Sequence, residues 1–178
     1  MFARTARLLL RPGFAEDAPA LARAIDDSAI VRSLATAPWP YGLAEAEAYL
    51  AATDDPGLPR MLIFERTDGA LRLVGACGLG RRPAGSVELG YWIARADWNR
   101  GFATEAGRAM IEIAAALKLA RLEAAHFVDN PASGRVLEKL GFTATGISAP
   151  RHSCARGEDV VSKLYRLALA EREEAIAA

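Results

Sequence analysis

Long apolar runs are missing from this chain. No stretch reaches the roughly 20 residues that a membrane-spanning helix needs. The apolar block near the N-terminus (MFARTARLLLRPGF) is only Leu8, Leu9 and Leu10, too short for a secretion-signal core. Neither sign of charge prevails: 22 Lys and Arg face 22 Asp and Glu. That balance gives no basic field to hold nucleic acid or an anionic membrane. Cysteine is scarce. The two present, Cys77 and Cys154, cannot make a disulfide framework, which fits a reducing compartment and a cytoplasmic location. Histidine is equally scarce. His152 and Cys154 form H-x-C in a loop, two possible ligands with no cluster around them, so no metal site is expected. His126 falls beside Leu122, Ala124 and Val128 in a strand pattern and reads as a satisfied core residue rather than a catalyst. Internal repeats and low-complexity segments are absent too.

What is there suits one globular domain over residues 1–178, with 168–178 as a loose helical tail. Residues 6–11 (ARLLLR) read as a strand stopped by Pro12-Gly13. Phe14, Ala18, Leu21, Ala22 and Ile25 recur at helical spacing and predict a helix over 15–27. A loop holding Pro38-Trp39-Pro40-Tyr41 follows, then a short helix over 43–53 marked by Ala46, Tyr49, Leu50 and Thr53. Residues 60–66 and 71–80 form a hairpin around Asp68-Gly69, and 86–94 adds a third strand. A long helix is expected over 103–118, a strand parallel to the last over 122–128, and a capped helix over 131–140 with Asn130 as N-cap and Gly141 as C′. Strands over 143–149 and 159–167 close the chain, with a polar loop between them. The order β-α-α-β-β-β-α-β-α-β-β describes an α+β domain around one mixed sheet of about seven strands.

The chemistry concentrates between Glu88 and Phe142. In 98–104 (WNRGFAT) a glycine joins a strand to a helix, so backbone can approach a ligand closely. Free N–H groups at the helix start favour a phosphate, and Arg95 and Arg100 flank them. The same residues also read as an ordinary turn with two solvated arginines. The glycines of 75–80 (GACGLG) have the reversed spacing G-x-x-G-x-G inside a strand and open no helix, so they are no dinucleotide fingerprint. Their small side chains leave room beside the sheet. Pro12-Gly13 supplies no glycine-rich phosphate loop after the first strand, which disfavours a nucleotide-binding α/β protein.

Taken in order, these pieces resemble the GCN5-related N-acetyltransferase (GNAT) superfamily, and within it the RimJ/RimL-type ribosomal-protein N-terminal acetyltransferases. The resemblance spans 7–11, 37–41 (APWPY), 88–93 (ELGYWI) with 98–106 (WNRGFATEA), 130–133 (NPAS) with 137–142 (LEKLGF), and 156–159 (RGED). It implies a sheet with helices on both faces and a splay between the two central parallel strands, 86–94 and 122–128. It implies acetyl-CoA as acetyl donor and a primary amine as acceptor, most naturally a protein N-terminal α-amino group. A small-molecule amine, or a non-catalytic acyl-CoA-binding domain, are the alternatives. The superfamily's pyrophosphate motif is written Gln/Arg-x-x-Gly-x-Gly/Ala. Its first position here is Trp98, while Gly101 and Ala103 fit, so the backbone of the turn, helped by Arg100, is expected to hold the pyrophosphate.

By the same resemblance the coenzyme site comprises Trp92, Ile93, Ala94, Arg95, Asn99, Arg100, Gly101, Phe102, Ala103, Thr104, Asn130, Ser133 and Lys139. The pantetheine arm would pair with strand groups near 93–95, and a backbone N–H near Trp92 and Ile93 would stabilise the oxyanion. Glu88 is the candidate base, since amines are largely protonated at pH 7; it reads equally as a salt-bridged strand residue. Ser133 is the candidate donor to the departing thiolate. Trp39 and Tyr41 are expected to line the acceptor site or to pin their loop to the sheet. Direct attack needs no covalent intermediate, so Cys77 reads as a small buried residue. A monomer and a homodimer are both compatible with this reading.

Overall fold

The structure is a computed structural model that describes residues 1–52, 55, 57–82 and 85–169. Thr53, expected to mark the second helix, and the tail from 170 onward lie outside the described residues. The elements are β1 (Ala3–Arg4), β2 (Leu8–Arg11), α1 (Ala18–Ile25), α2 (Ser28–Val31), α3 (Leu43–Ala51), β3 (Arg60–Arg66), β4 (Leu71–Arg81), β5 (Val87–Ile93), α4 (Phe102–Ala116), β6 (Arg121–Phe127), α5 (Pro131–Lys139), β7 (Thr143–Ser153) and β8 (Glu158–Ala168). They form one mixed sheet in the order β1-β2-β3-β4-β5-β6-β8-β7. Among the described residues no helix is long and apolar enough to cross a membrane.

The α+β expectation holds, with differences at the edges. An eighth strand appears because Thr5 turns the chain: its N–H donates to the Leu8 carbonyl at 3.0 Å, so Ala3–Arg4 folds back on Leu9 and Leu10. The first helix starts late. Asp17 accepts from the Phe14 N–H (2.8 Å) and grips Arg11 (2.7 and 2.8 Å), which holds Ala15–Asp17 in a tighter turn before α1. The extra single-turn helix α2 is started by Asp27, whose side chain accepts from the Ala29 N–H at 2.7 Å. Strands β7 and β8 are longer than expected. As the outer strand beyond β8, β7 exposes residues on both faces, so its polar sequence reads as loop although the backbone pairs with β8 at Thr143 and Ala144 and again, past an irregularity, from Ser148 to Ser153.

Alternation along the strands divides the core in two. Val87, Leu89 and Ile93 join Met110, Ala106 and Leu137 under α4 and α5. On the other face Leu62, Phe64 and Ala76 pack with Leu21, Ile30 and Ala46 from α1, α2 and α3. The site lies between these two layers, where the sheet comes apart.

Candidate active site

Parallel strands β5 and β6 are paired at one position, Glu88 opposite Glu123. Beyond it they diverge, and a cavity of about 660 Å³ occupies the gap. Which groups face this gap follows from the ladders. Arg82 N–H donates to Ser86, and Ala94 N–H donates to Val74 (both 2.8 Å), so even-numbered residues of β5 bond to β4. Odd-numbered Tyr91 and Ile93 therefore turn their N–H groups to the gap. On β6 the Val128 N–H donates to Val161 of β8 at 3.0 Å, so Ala125 and Phe127 face the gap from the other side. This corrects the expectation for Trp92 and Ala94, whose backbone N–H groups belong to the β4 ladder. Beside Trp92, Tyr91 is the residue whose N–H faces the gap.

The gap leads to the start of α4. Gly101 sits in the left-handed region (φ 81°), where a side chain would be strained. Glu105 N–H bonds the Gly101 carbonyl at 3.0 Å, so the N–H groups of Phe102, Ala103 and Thr104 lack helical partners. Asn99, Gly101, Phe102, Ala103 and Thr104 all line the cavity. Trp98 closes the end of the strand. Its indole N–H donates to the Ile93 carbonyl at 2.8 Å and saturates the last gap-facing carbonyl of β5. Arg95 does not reach the cavity and lies 4.5 Å over the Trp98 ring.

Arg100 departs from expectation. It pairs with Asp97 (2.6 Å) and Glu65 and stacks on Phe102, outside the cavity lining. Buried Asp97 also binds Arg72 at 2.7 and 2.6 Å. Hydrogen bonds from Arg72, then Arg100, hold the Asp97 carboxyl below its ordinary range against the opposing effect of burial. Two arginines and two carboxylates balance locally, so this network fixes the turn and directs the Arg100 charge away from the cavity. Arg7, which the sequence did not single out, braces the turn from below. It donates to the Arg100 carbonyl (2.9 Å) and to Glu105 (2.8 Å) and lies 4.7 Å over Phe102.

From the α5 side, Asn130 accepts from the Ser133 N–H at 3.3 Å, as an N-cap should. The Ser133 hydroxyl is 2.9 Å from the Tyr91 hydroxyl, which also donates to the Ser133 carbonyl at 3.1 Å. Burial pushes the Tyr91 phenol up to about 12, so it stays protonated at neutral pH. Asn130, Ser133 and Lys139 line the cavity, joined by Arg135 one turn before Lys139. The four-residue spacing of Arg135 and Lys139 was the signal available for this cationic edge. His126 packs under α5 with its ring 5.5 Å from that of Tyr165. A side chain on Gly134 would begin 2.8 Å from His126 Nε2, so that glycine makes room for the imidazole. His126 is thus a core residue that also touches the cavity. His152 turns to Asp159 (Nδ1 at 3.1 Å).

Glu88, Gly90 and Trp92 point to the opposite face and line the cavity. Their β4 neighbours are Gly80, Gly78 and Ala76, and Cβ atoms on Gly80 or Gly90 would meet nothing within 4 Å. Ala76, Gly78 and Gly80 thus floor a chamber that is open at Gly80 and Gly90. Glu88 accepts from Arg151 of β7 at 2.6 Å and faces Arg82 at 3.4 Å, so the salt-bridged reading of this carboxylate is realised at the cavity wall. Trp39 and Tyr41 are elsewhere. Tyr41 is buried in the core beneath α3, its hydroxyl on the Glu45 carbonyl at 3.3 Å, and Trp39 is largely exposed. Both pin or flank their loop and neither touches the cavity. Ser33, Leu34, Ala35 and Thr36 line the chamber in their stead. Cys154 N–H to Ala35 (2.9 Å), Ser153 to Leu34 (3.2 Å) and Arg156 to Arg32 (2.8 Å) strap this segment to the β7–β8 hairpin.

Comparison with known proteins places this geometry in context. Residues 7–143 match the family model described as an acetyltransferase (GNAT) domain. An uncharacterized N-acetyltransferase, p20 of Bacillus licheniformis, is 28% identical over 179 residues, covering 96% of this chain and 97% of that protein. Among solved structures, RimL, a ribosomal α-N-protein acetyltransferase in complex with coenzyme A, superposes with a TM-score of 0.77 at 18% identity over 95% of this chain and 98% of that one. The microcin C7 self-immunity acetyltransferase MccE, in complex with acetyl-CoA and AMP, gives 0.75 at 16% over 92% and 93%. At these identities the likeness to both structures is one of fold.

Proposed function

The chain belongs to the GNAT acetyltransferase family, an acyltransferase that moves acetyl from acetyl-CoA to an amine, and from that premise we propose which residues do the work and what kind of amine they receive. The observation that carries the proposal is the single β5–β6 pairing at Glu88, which leaves backbone donors on both strands unspent along a cavity that ends at Gly101.

Acetyl-CoA supplies an acetyl thioester on a long polar arm. The residues present fit it. The left-handed turn at Gly101 offers the N–H groups of Phe102, Ala103 and Thr104 to a pyrophosphate. Arg135 and Lys139 on α5 add positive charge at the same cavity. Ile93 N–H, Ala125 and Phe127 line the slot as strand edges that an amide-bearing arm completes. Tyr91 N–H sits at mid-strand, where a fixed donor stabilises an oxyanion. The Ser133 hydroxyl donates a hydrogen bond to the departing sulfur, which takes its proton from water, and Tyr91, hydrogen-bonded to Ser133 and kept neutral by burial, orients that hydroxyl. Glu88 faces the acceptor chamber and takes the amine's proton, directly or through one water. The balance is direct: one N–C bond forms, one C–S bond breaks, one proton leaves the amine and one reaches the sulfur.

The nucleophile is an α-amino group. A peptide N-terminus is the acceptor the sequence resemblance favours. The strap from 153–156 to 32–35 bounds the chamber and favours a compact acceptor, a free small molecule or a short exposed terminus. Thiol release from acetyl-CoA, followed with peptides and small amines, tests the reading. Acetylated product must appear by mass with at least one α-amine; tight CoA binding without turnover on any amine would reduce the protein to a CoA-binding domain.

A further inference from the structure

The acceptor chamber holds an arginine whose hydrogen bonding is incomplete. Arg151 sits opposite Val160 in the β7–β8 hairpin, beyond the last β6 pairing at Phe127–Ser162, and gives Nη2–H to Glu88 of β5. Its side chain is 20% exposed, and its Nε is buried with no hydrogen-bond partner, the one such side-chain atom among the described residues. A buried donor on a cation is costly to leave unmade and calls for an explanation. Charge points the same way. Glu88 lies between Arg151 and Arg82, one carboxylate against two guanidinium groups. The other acidic residue lining the cavity, Asp97, is taken by Arg72 and Arg100 at its far end. The chamber therefore has an uncompensated positive charge beside a carboxylate that can receive an ammonium, over a floor left open at Gly80 and Gly90.

We propose that the acceptor amine bears a carboxylate, and that Arg151 reads this carboxylate while Glu88 receives the ammonium of the same molecule. The inference rests on the acetyl-transfer reading and names the substrate class of that site. Glu88 pairs with Arg151 through Nη2 alone. An amphoteric acceptor exchanges that internal pair for two: its ammonium draws Glu88 away, and the freed Nε–Nη2 edge of Arg151 meets a carboxylate two-pronged, the geometry for which guanidinium is suited. The carboxylate can be that of a free amino acid or of an acidic side chain next to a peptide's N-terminus. Both present the same chemistry to Arg151.

Matched acceptor pairs test this on the full chain with acetyl-CoA: free α-amino acids against their α-amides, and tripeptides with aspartate against asparagine in second place. At least one acid should exceed its amide by roughly 100-fold in kcat/KM, the scale of leaving a buried charged donor unpaired. The pair that shows the gap identifies the source. Arg151→Gln should bring that ratio below about 3, and Arg151→Lys, which keeps the charge but loses the Nε edge, should lower it about tenfold. Circular dichroism checks both folds; if the glutamine variant does not fold, the lysine variant decides. Ratios below about 3 for every pair in the wild type, or ratios unchanged in the folded variants, overturn the proposal. In that event turnover of amides shows that acetyl transfer stands, whereas no thiol release from any acceptor shows that it has failed.

Discussion

Replacing Gly101 by alanine isolates the turn from everything around it. A Cβ there would lie 3.5 Å from Arg7 Nη2, an ordinary contact, so no steric clash enters. What changes is the backbone. At φ 81° an L-residue is disfavoured by about 1–2 kcal/mol. In a domain of this size that lowers the melting temperature by roughly 2–8 °C. If the variant relieves the strain by leaving the left-handed region, the N–H groups of Phe102, Ala103 and Thr104 turn away, and the same strain energy must be restored on binding. The Kd for coenzyme A then rises about 5- to 30-fold. The assay compares acetyl-CoA with S-acetylpantetheine, which has the thioester and arm but no pyrophosphate. Only the phosphate-bearing donor should lose kcat/KM. Equal loss on both donors would refute the placement of phosphates at this turn. Asparagine, which tolerates this conformation better, should fall between glycine and alanine.

Three further outcomes are expected. Glu88→Gln should depress turnover more at pH 6–7 than at pH 9, since an α-amine with pKa about 8 needs help losing its proton only below that value; a pH-independent loss would leave Glu88 as Arg151's partner alone. Tyr91→Phe should slow turnover roughly tenfold with little change in coenzyme affinity, and adding Ser133→Ala should cost little more, because the two hydroxyls act as one unit; additive losses would separate them. Asp97→Asn leaves Arg72 and Arg100 converging on a neutral amide and should remove about 1–3 kcal/mol, less than for a fully buried pair because both arginines are over two-fifths exposed. The native Asp97 carboxyl is depressed below its ordinary 3.8, so its stabilisation is complete above that value and fades as pH falls through the lower native one. Urea midpoints of wild type and variant should therefore begin to converge as pH falls below about 4, and a gap that does not narrow as pH is lowered further contradicts the linkage.

Elements whose ends are set by local chemistry were legible in the sequence. Asn130 with Pro131, and Gly141 after Lys139, bound α5 where the sequence places it. Gly101 opens α4 with the left-handed turn that its position between strand and helix implied. Patterns failed where neighbours rather than local sequence decide. The outer strand β7 has little to bury, so its polar composition resembled a loop. Tyr41 follows a proline-rich turn like an exposed loop aromatic, yet it is 5% exposed because α3 folds over it. Arg100 looked available to a phosphate because the sequence cannot show that Glu65, 35 residues away, neutralises it.

The sequence by itself determined the α+β order, the glycine turn onto α4 and the capped α5, because hydrophobic period, glycine conformation and helix capping act over a few neighbouring residues. Only the tertiary structure decided which backbone groups face the β5–β6 gap, that Tyr91 meets Ser133, and that Arg151 meets Glu88 63 residues away with one donor left unpaired. Those facts depend on strand register and on charges brought together across the sheet, and a one-residue slip in either strand would exchange every donor and every face.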